Sequence, residues 1–162
     1  MAKYLGIDPA NIESGYVIVD ENLKPIEIGK ISNEELLTKI YEIKNDMDYI
    51  AIEMIACYGM AVGKSVFDTC LYIGRLIEAT KDCKNVQLIF RREEKMNLCG
   101  TMKSGDSAVM KALIQRFAKF DFKSGKGKKN NPDWFFGFKS DIWAAYAVIV
   151  TAHDKYIKIK GD

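Results

Sequence analysis

Three carboxylates in this chain stand where apolar runs end or begin. Asp8 closes "YLGID", Glu53 lies near the end of "YIAIEM", and Asp141 opens "DIWAAYAVIV". Carboxylates gathered at the ends of buried segments repel unless a cation neutralises them. Hard oxygen ligands select Mg²⁺ or Mn²⁺, which keep positions open for water and phosphate oxygens. Two such ions about 4 Å apart activate an attacking water and stabilise the leaving oxygen of a phosphodiester. On spacing alone a plainer reading competes: Asp8 before Pro9 starts a turn, Glu53 forms a salt bridge at a sheet edge, and Asp141 suits a helix N-terminus.

The elements that must position these acids follow from periodicity. Residues 3–8, 14–20 and 24–31 read as strands rich in Ile, Val and Tyr, separated by turn signals at Pro9-Ala10-Asn11 and at 21–25. Connections this short predict an antiparallel meander. A helix over 33–45, capped by Asn33, puts Leu36, Leu37, Ile40 and Ile43 on one face. A strand at 49–54, a helix at 64–80, a strand at 86–90 and a helix at 105–120 follow. "KSGKGKKNNPDWFFG" (123–137) is rich in Gly and Lys and is expected to be a mobile basic loop with no core of its own. A strongly apolar helix resumes at Ser140. The order predicts an α/β fold: a mixed five-stranded sheet, antiparallel first and parallel later, with helices on both faces and the first and fourth strands adjacent. RNase H-like domains use that order, which by itself says nothing about activity.

A chain of 162 residues suits a single domain over 1–162. No apolar run reaches the ~18–20 residues that span a bilayer, and the amino terminus lacks a basic-then-apolar leader, so a cytoplasmic protein is expected. Cys57, Cys70, Cys83 and Cys99 are widely spaced beside a lone His153. That pattern argues against zinc and for reduced, mostly buried thiols. The net charge of +2 conceals an asymmetry: residues 1–80 carry −6 and residues 81–139 carry +8. The basic middle suits a polyanion partner, with a plain solvated face the alternative reading.

Four segments in order resemble RuvC-type Holliday-junction resolvases. "GIDPANIESGYVIV" is similar to their opening G-I-D-P-G-x-x-x-T/S-G-Y, with Ala10 in place of glycine. "IAIEMIACYGMAVGKSVFDTCLYIGRL" resembles the second acidic strand and its helix. "RREEKMNLCG" carries R-x-x-K-x-x-L/V-x-G at Arg92, Lys95, Leu98 and Gly100, and "DIWAAYAVIVT" resembles the last helix, D-x-x-D-A-L-A. The resemblance implies a Mg²⁺-dependent endonuclease, with Mn²⁺ substituting and two ions per site. Asp8 would bridge both ions, Glu53 would bind one and Asp141 the other, and Lys95 would stand near the scissile phosphate. Short length and missing family details imply a bacteriophage-type member, acting in the host cytoplasm. Two departures stand out. Ala144 and Ala145 occupy the places of the family's second helix acid, and Asp106 falls where a second lysine is usual, with Lys103 a nearby substitute.

The implied substrate is branched DNA, four-way junctions above all. Expected phosphate contacts are Lys64, Arg91, Arg92, Lys95, Lys103, Lys111 and the loop lysines Lys123, Lys126, Lys128 and Lys129. Tyr58 is either a stacking platform for an exposed base or a core tyrosine. Trp143 and Tyr146 are expected in the core, and His153 away from the acids. Symmetric cutting implies a homodimer, for which the apolar helix 64–80 offers a face, unless that helix is simply buried. Two alternatives remain open from the sequence: an RNase H-like ribonuclease acting on RNA or RNA–DNA hybrid, and a non-catalytic junction-binding protein.

Overall fold

The computed structural model describes residues 1–157. Strands β1 (Lys3–Asp8), β2 (Glu13–Asp20), β3 (Pro25–Ser32), β4 (Tyr49–Met54) and β5 (Val86–Phe90) form one sheet in the order β3-β2-β1-β4-β5. The β1–β2 and β2–β3 pairs are antiparallel, and β1–β4 and β4–β5 are parallel. The expected mixed sheet, with its first and fourth strands adjacent, is therefore present.

Side chains alternate across a strand, and that alternation builds two cores. Leu5, Ile7, Ile18, Ile50 and Ile52 pack on one face under helices α1 (Asn33–Ile43) and α2 (Lys64–Ala79). Tyr4, Val17, Val19, Ala51 and Ile89 face the other way, toward α5 (Ser140–Ala152). Asp8 continues the phase of Tyr4 and Gly6, and Glu53 that of Tyr49 and Ala51. Both acids thus emerge on the α5 face. Each fully buried Leu or Ile contributes about 1.5–3 kcal/mol. Two faces of such residues readily offset the cost of desolvating a few carboxylates beside them.

Helix α5 is apolar all round and is buried accordingly, from Ile142 to Ala152 with Ala144 alone half-exposed. Trp143 and Tyr146 lie in the core as expected. The Tyr146 hydroxyl donates to the Leu23 carbonyl at 2.8 Å and accepts from Trp134 Nε1 at 3.0 Å.

Four sequence expectations are corrected. Asn33 does not cap α1. Ser32 does, accepting from the Glu35 amide, while Asn33 bonds the Ser14 hydroxyl at 2.7 Å and the Ala10 carbonyl at 2.8 Å and so fastens the turn after Asp8. Residues Arg91–Cys99 form a helix, α3, that sequence periodicity hides because its residues are mostly charged. It is held by the Glu93 side chain accepting from the Phe90 amide, by the left-handed Gly100 at its end, and by Lys155 pairing with Glu93 at 2.7 Å. None of the four cysteines is fully buried: Cys57 is exposed and the other three are half-buried, all as free thiols.

The fourth correction is the largest. After α4 (Asp106–Phe117), the Gly/Lys segment is a built hairpin, β6 (Gly127–Lys128) with β7 (Asn131–Pro132), and it does contribute to the core. Asp133 is buried and accepts from the backbone N–H groups of Lys119, Phe120, Asp121 and Trp134. Asp121 closes the other side through Ser124 and Gly127. These donors hold the Asp133 carboxyl down at about 2 and the Asp121 carboxyl well below the usual range. Phe135 and Phe138 are fully buried against Trp143 and Tyr146, with ring centroids 4.7–5.5 Å apart.

Candidate active site

Asp8 is the last residue of β1 and pairs in register with Gly15 of β2. Ile7 pairs with Ile52 of β4, which sets Glu53 beside Asp8. Asp141 arrives in the first turn of α5 because two glycines let that helix lie against the sheet. A Cβ on Gly6 would collide with the Ala145 carbonyl and Ile149, and one on Gly15 would stand 2.6 Å from the Asp141 carbonyl oxygen. Gly15→Ala is therefore expected to displace Asp141 from Asp8, reducing any metal-dependent activity more than about tenfold and destabilising the fold by about 1–3 kcal/mol. Activity assays beside thermal melts would show it, and an alanine variant of wild-type activity would refute the close approach.

The three acids line a single cleft of about 710 Å³, with Arg91, Asp106, Ser107, Lys126, Lys139 and Ala144 among its other walls. Burial first, then the Glu53 carboxyl against it and the charges of Glu53 and Asp141, push Asp8 up to about 9. Burial and the neighbouring Glu94 push Glu53 up to about 7. Asp141 makes an ion pair with Lys30 at 2.6 Å. Among the described residues no three acids, histidines or cysteines stand close enough to enclose an ion as they are. The donor set nonetheless fits a hard divalent cation. It is all oxygen, and burial and mutual repulsion raise the proton affinity of Asp8 and Glu53, a crowding that a cation among them would relieve.

Three residues in or beside the cleft escaped the sequence reading. Lys30 lies on β3 and Lys139 just before α5. Glu94 sits on α3 with its side chain only 1% exposed, and burial pushes its carboxyl up to about 8. Arg91, an expected phosphate contact, stands among the acids: its Nη1 lies 3.6 Å from Glu53 Oε1 and 3.5 Å from Glu94 Oε1, and its Nη2 meets Asp106. The place where a lysine was expected thus holds the partner of Arg91. Only the helical assignment of α3 would have exposed the i, i+3 relation of Arg91 to Glu94.

The remaining expected contacts are dispersed. Lys95 lines a neighbouring hollow of about 300 Å³ with Tyr58, Arg91, Arg92 and Met102, not the cleft of the three acids. Tyr58 is no core residue: it is 61% exposed, has a positive φ of 50°, and lies 5.4 Å from the Arg92 guanidinium. Lys126 enters the cleft wall, while Lys103, Lys111, Lys128 and Lys129 are exposed. Lys64 pairs with Asp68 on α2. His153 packs against Tyr4, with ring centroids 6.0 Å apart, away from the acids as expected. Helix α2 buries Tyr72, Ile73 and Leu76 but exposes Phe67, Leu71 and Ile77. Among the described residues no helix is long and apolar enough to cross a membrane.

A five-stranded mixed sheet in this order, with acids at the ends of adjacent strands and on the last helix, defines an RNase H-like α/β fold. Within that class, the chain is similar to Thermus thermophilus RuvC in complex with a Holliday junction substrate, with a TM-score of 0.70 at 15% identity over 99% of this chain and 97% of that one. A second Thermus thermophilus RuvC structure gives 0.69 at 13% identity, covering 98% and 96%. No family profile and no curated protein sequence matches the chain.

Proposed function

We propose that this chain is a divalent-metal-dependent endonuclease that cuts four-way junctions and other branched DNA, acting as one domain in each half of a homodimer. The observation that carries the reading is the convergence of Asp8, Glu53 and Asp141 from three elements on one cleft, with the proton affinities of Asp8 and Glu53 raised by burial and crowding. The RuvC likeness, which includes a structure holding a Holliday junction, supports the substrate class. The departures at Ala10, Ala144 and Asp106 fit a bacteriophage-type member of the RuvC-type group.

Mg²⁺ or Mn²⁺, one or two ions held by Asp8, Glu53 and Asp141, would supply a water of lowered pKa and neutralise charge on the phosphate. The chain's own groups do the rest. Lys126 and Lys139 on the cleft wall attract the scissile strand, and Lys30 restrains Asp141 until the phosphate arrives. Lys95 and Arg92 hold the next phosphates along, and Tyr58, fixed by its strained backbone beside Arg92, offers a face on which an unpaired base at the branch point stacks. The exposed Phe67, Leu71 and Ile77 on α2 supply the dimer contact.

A cleavage panel in Mg²⁺ tests the reading: a synthetic four-way junction, a linear duplex and an RNA–DNA hybrid. Preferential, paired nicking of the junction is expected. Preference for the hybrid would make the chain a ribonuclease, and junction binding without nicking in any divalent ion would make it a binding protein.

A further inference from the structure

Glu94 is the one cleft-side acid whose environment in the fold goes unexplained. Its side chain is 1% exposed, neither carboxylate oxygen meets an N–H or hydroxyl donor, and the carboxyl against it is that of Glu53, another acid. A buried carboxylate left in that condition is strongly disfavoured unless a cation compensates it. Its neighbour on α3, Glu93, turns the other way to Lys155 and the Tyr156 hydroxyl, so Glu94 is not part of a charged helix surface. It faces Glu53, and a single guanidinium nitrogen of Arg91 stands nearly equidistant from the two carboxylates, at 3.6 and 3.5 Å. These are ion-pair distances too long for hydrogen bonds to a guanidinium. Around the cleft five carboxylates, of Asp8, Glu53, Glu94, Asp106 and Asp141, face two cations in direct ion pairs, Arg91 and Lys30.

We propose that Glu94 is a further carboxylate of the metal centre, which together with Glu53 takes up a divalent cation at the position the Arg91 guanidinium occupies here, Arg91 then being retained by Asp106. The inference rests on the metal-dependent reading above and extends it. It gives the metal centre a fourth acid, from α3 and beside Glu53. It also gives a reason for the Arg91–Asp106 contact, which holds the guanidinium at the edge of the acids.

Mn²⁺ titration of the full chain by calorimetry, without DNA, tests this. Glu94→Gln is expected to weaken Mn²⁺ binding about 10- to 100-fold or to remove one bound ion. Its melting temperature in EDTA should be no lower than wild type, because Gln fills the same volume and removes an unpaired buried carboxyl. Arg91→Gln is expected to tighten Mn²⁺ binding, since a competing cation leaves. Wild-type Mn²⁺ affinity and stoichiometry in Glu94→Gln would overturn the proposal, as would unchanged or weaker binding in Arg91→Gln. Asp8→Asn separates the two levels. If it loses Mn²⁺ while Glu94→Gln does not, only the role of Glu94 falls, and if Asp8→Asn keeps full Mn²⁺ binding, the metal-dependent reading falls with it.

Discussion

Asp8→Asn should abolish cleavage of branched DNA, a loss of more than about a hundredfold, and leave DNA binding largely intact. The size follows from position. Replacing a group that merely orients a metal ligand typically costs 10- to 100-fold, and Asp8 stands between Glu53 and Asp141 with all the crowding of the site upon it. Asn keeps the shape and the turn, which rests on Ser14 and Asn33, and removes only the charge. Single-turnover nicking in Mg²⁺, beside gel-shift binding in EDTA, separates the two effects. A variant that cuts a four-way junction at the wild-type rate would remove Asp8 from the chemistry.

Without a divalent ion, stability should fall as pH rises from about 4 toward 9. Asp8 is carried from 3.8 to about 9 and Glu53 from 4.5 to about 7. Between the unfolded and folded values the native chain keeps protons that the unfolded chain has released, so raising pH favours unfolding; this contribution is whole below about pH 4 and lost as pH passes the folded values. The carboxylates held low, Asp121, Asp133 and Asp154 among them, act in the opposite sense and only at acid pH, outside this window. Melting in EDTA between pH 5.5 and 8.5 should therefore show a decline that Mn²⁺ reverses, since an ion bound only by the native state stabilises it by mass action. Asp8→Asn should flatten the decline. A melting temperature that rises across this window in EDTA would mean that the acids are compensated by something other than a divalent ion.

Much of the fold was legible because its strands are short, apolar and separated by plain turn signals. The adjacency of β1 and β4 followed from element order, and with it the pairing of Asp8 and Glu53. Two segments escaped. Helix α3 is mostly charged and is held by long-range partners, Lys155 and Asp154 among them, which lie more than fifty residues away in sequence. The Gly/Lys hairpin reads as solvated because its lysines are local, whereas the carboxylates that order it, Asp121 and Asp133, act through backbone N–H groups that no residue-type pattern displays. The site inherited these gaps. Asp8, Glu53 and Asp141 were found at strand and helix ends, but Glu94 and the place of Arg91 among the acids depend on α3, and Lys30 depends on the register of β3 with β2.

The all-round burial of α5 bears on how the cleft breathes. A helix enclosed by the sheet, α3, α4 and the hairpin aromatics cannot detach without exposing the larger core, so Asp8, Glu53 and Asp141 belong to a unit that opens only with the whole molecule. Helix α3 has a charged, partly exposed surface and one buried residue of its own, Glu94. The carboxylates are thus divided between the enclosed sheet and α5 on one side and the more exposed α3 on the other. Helix α3 carries both the cation that crowds the site and the acid proposed to join it.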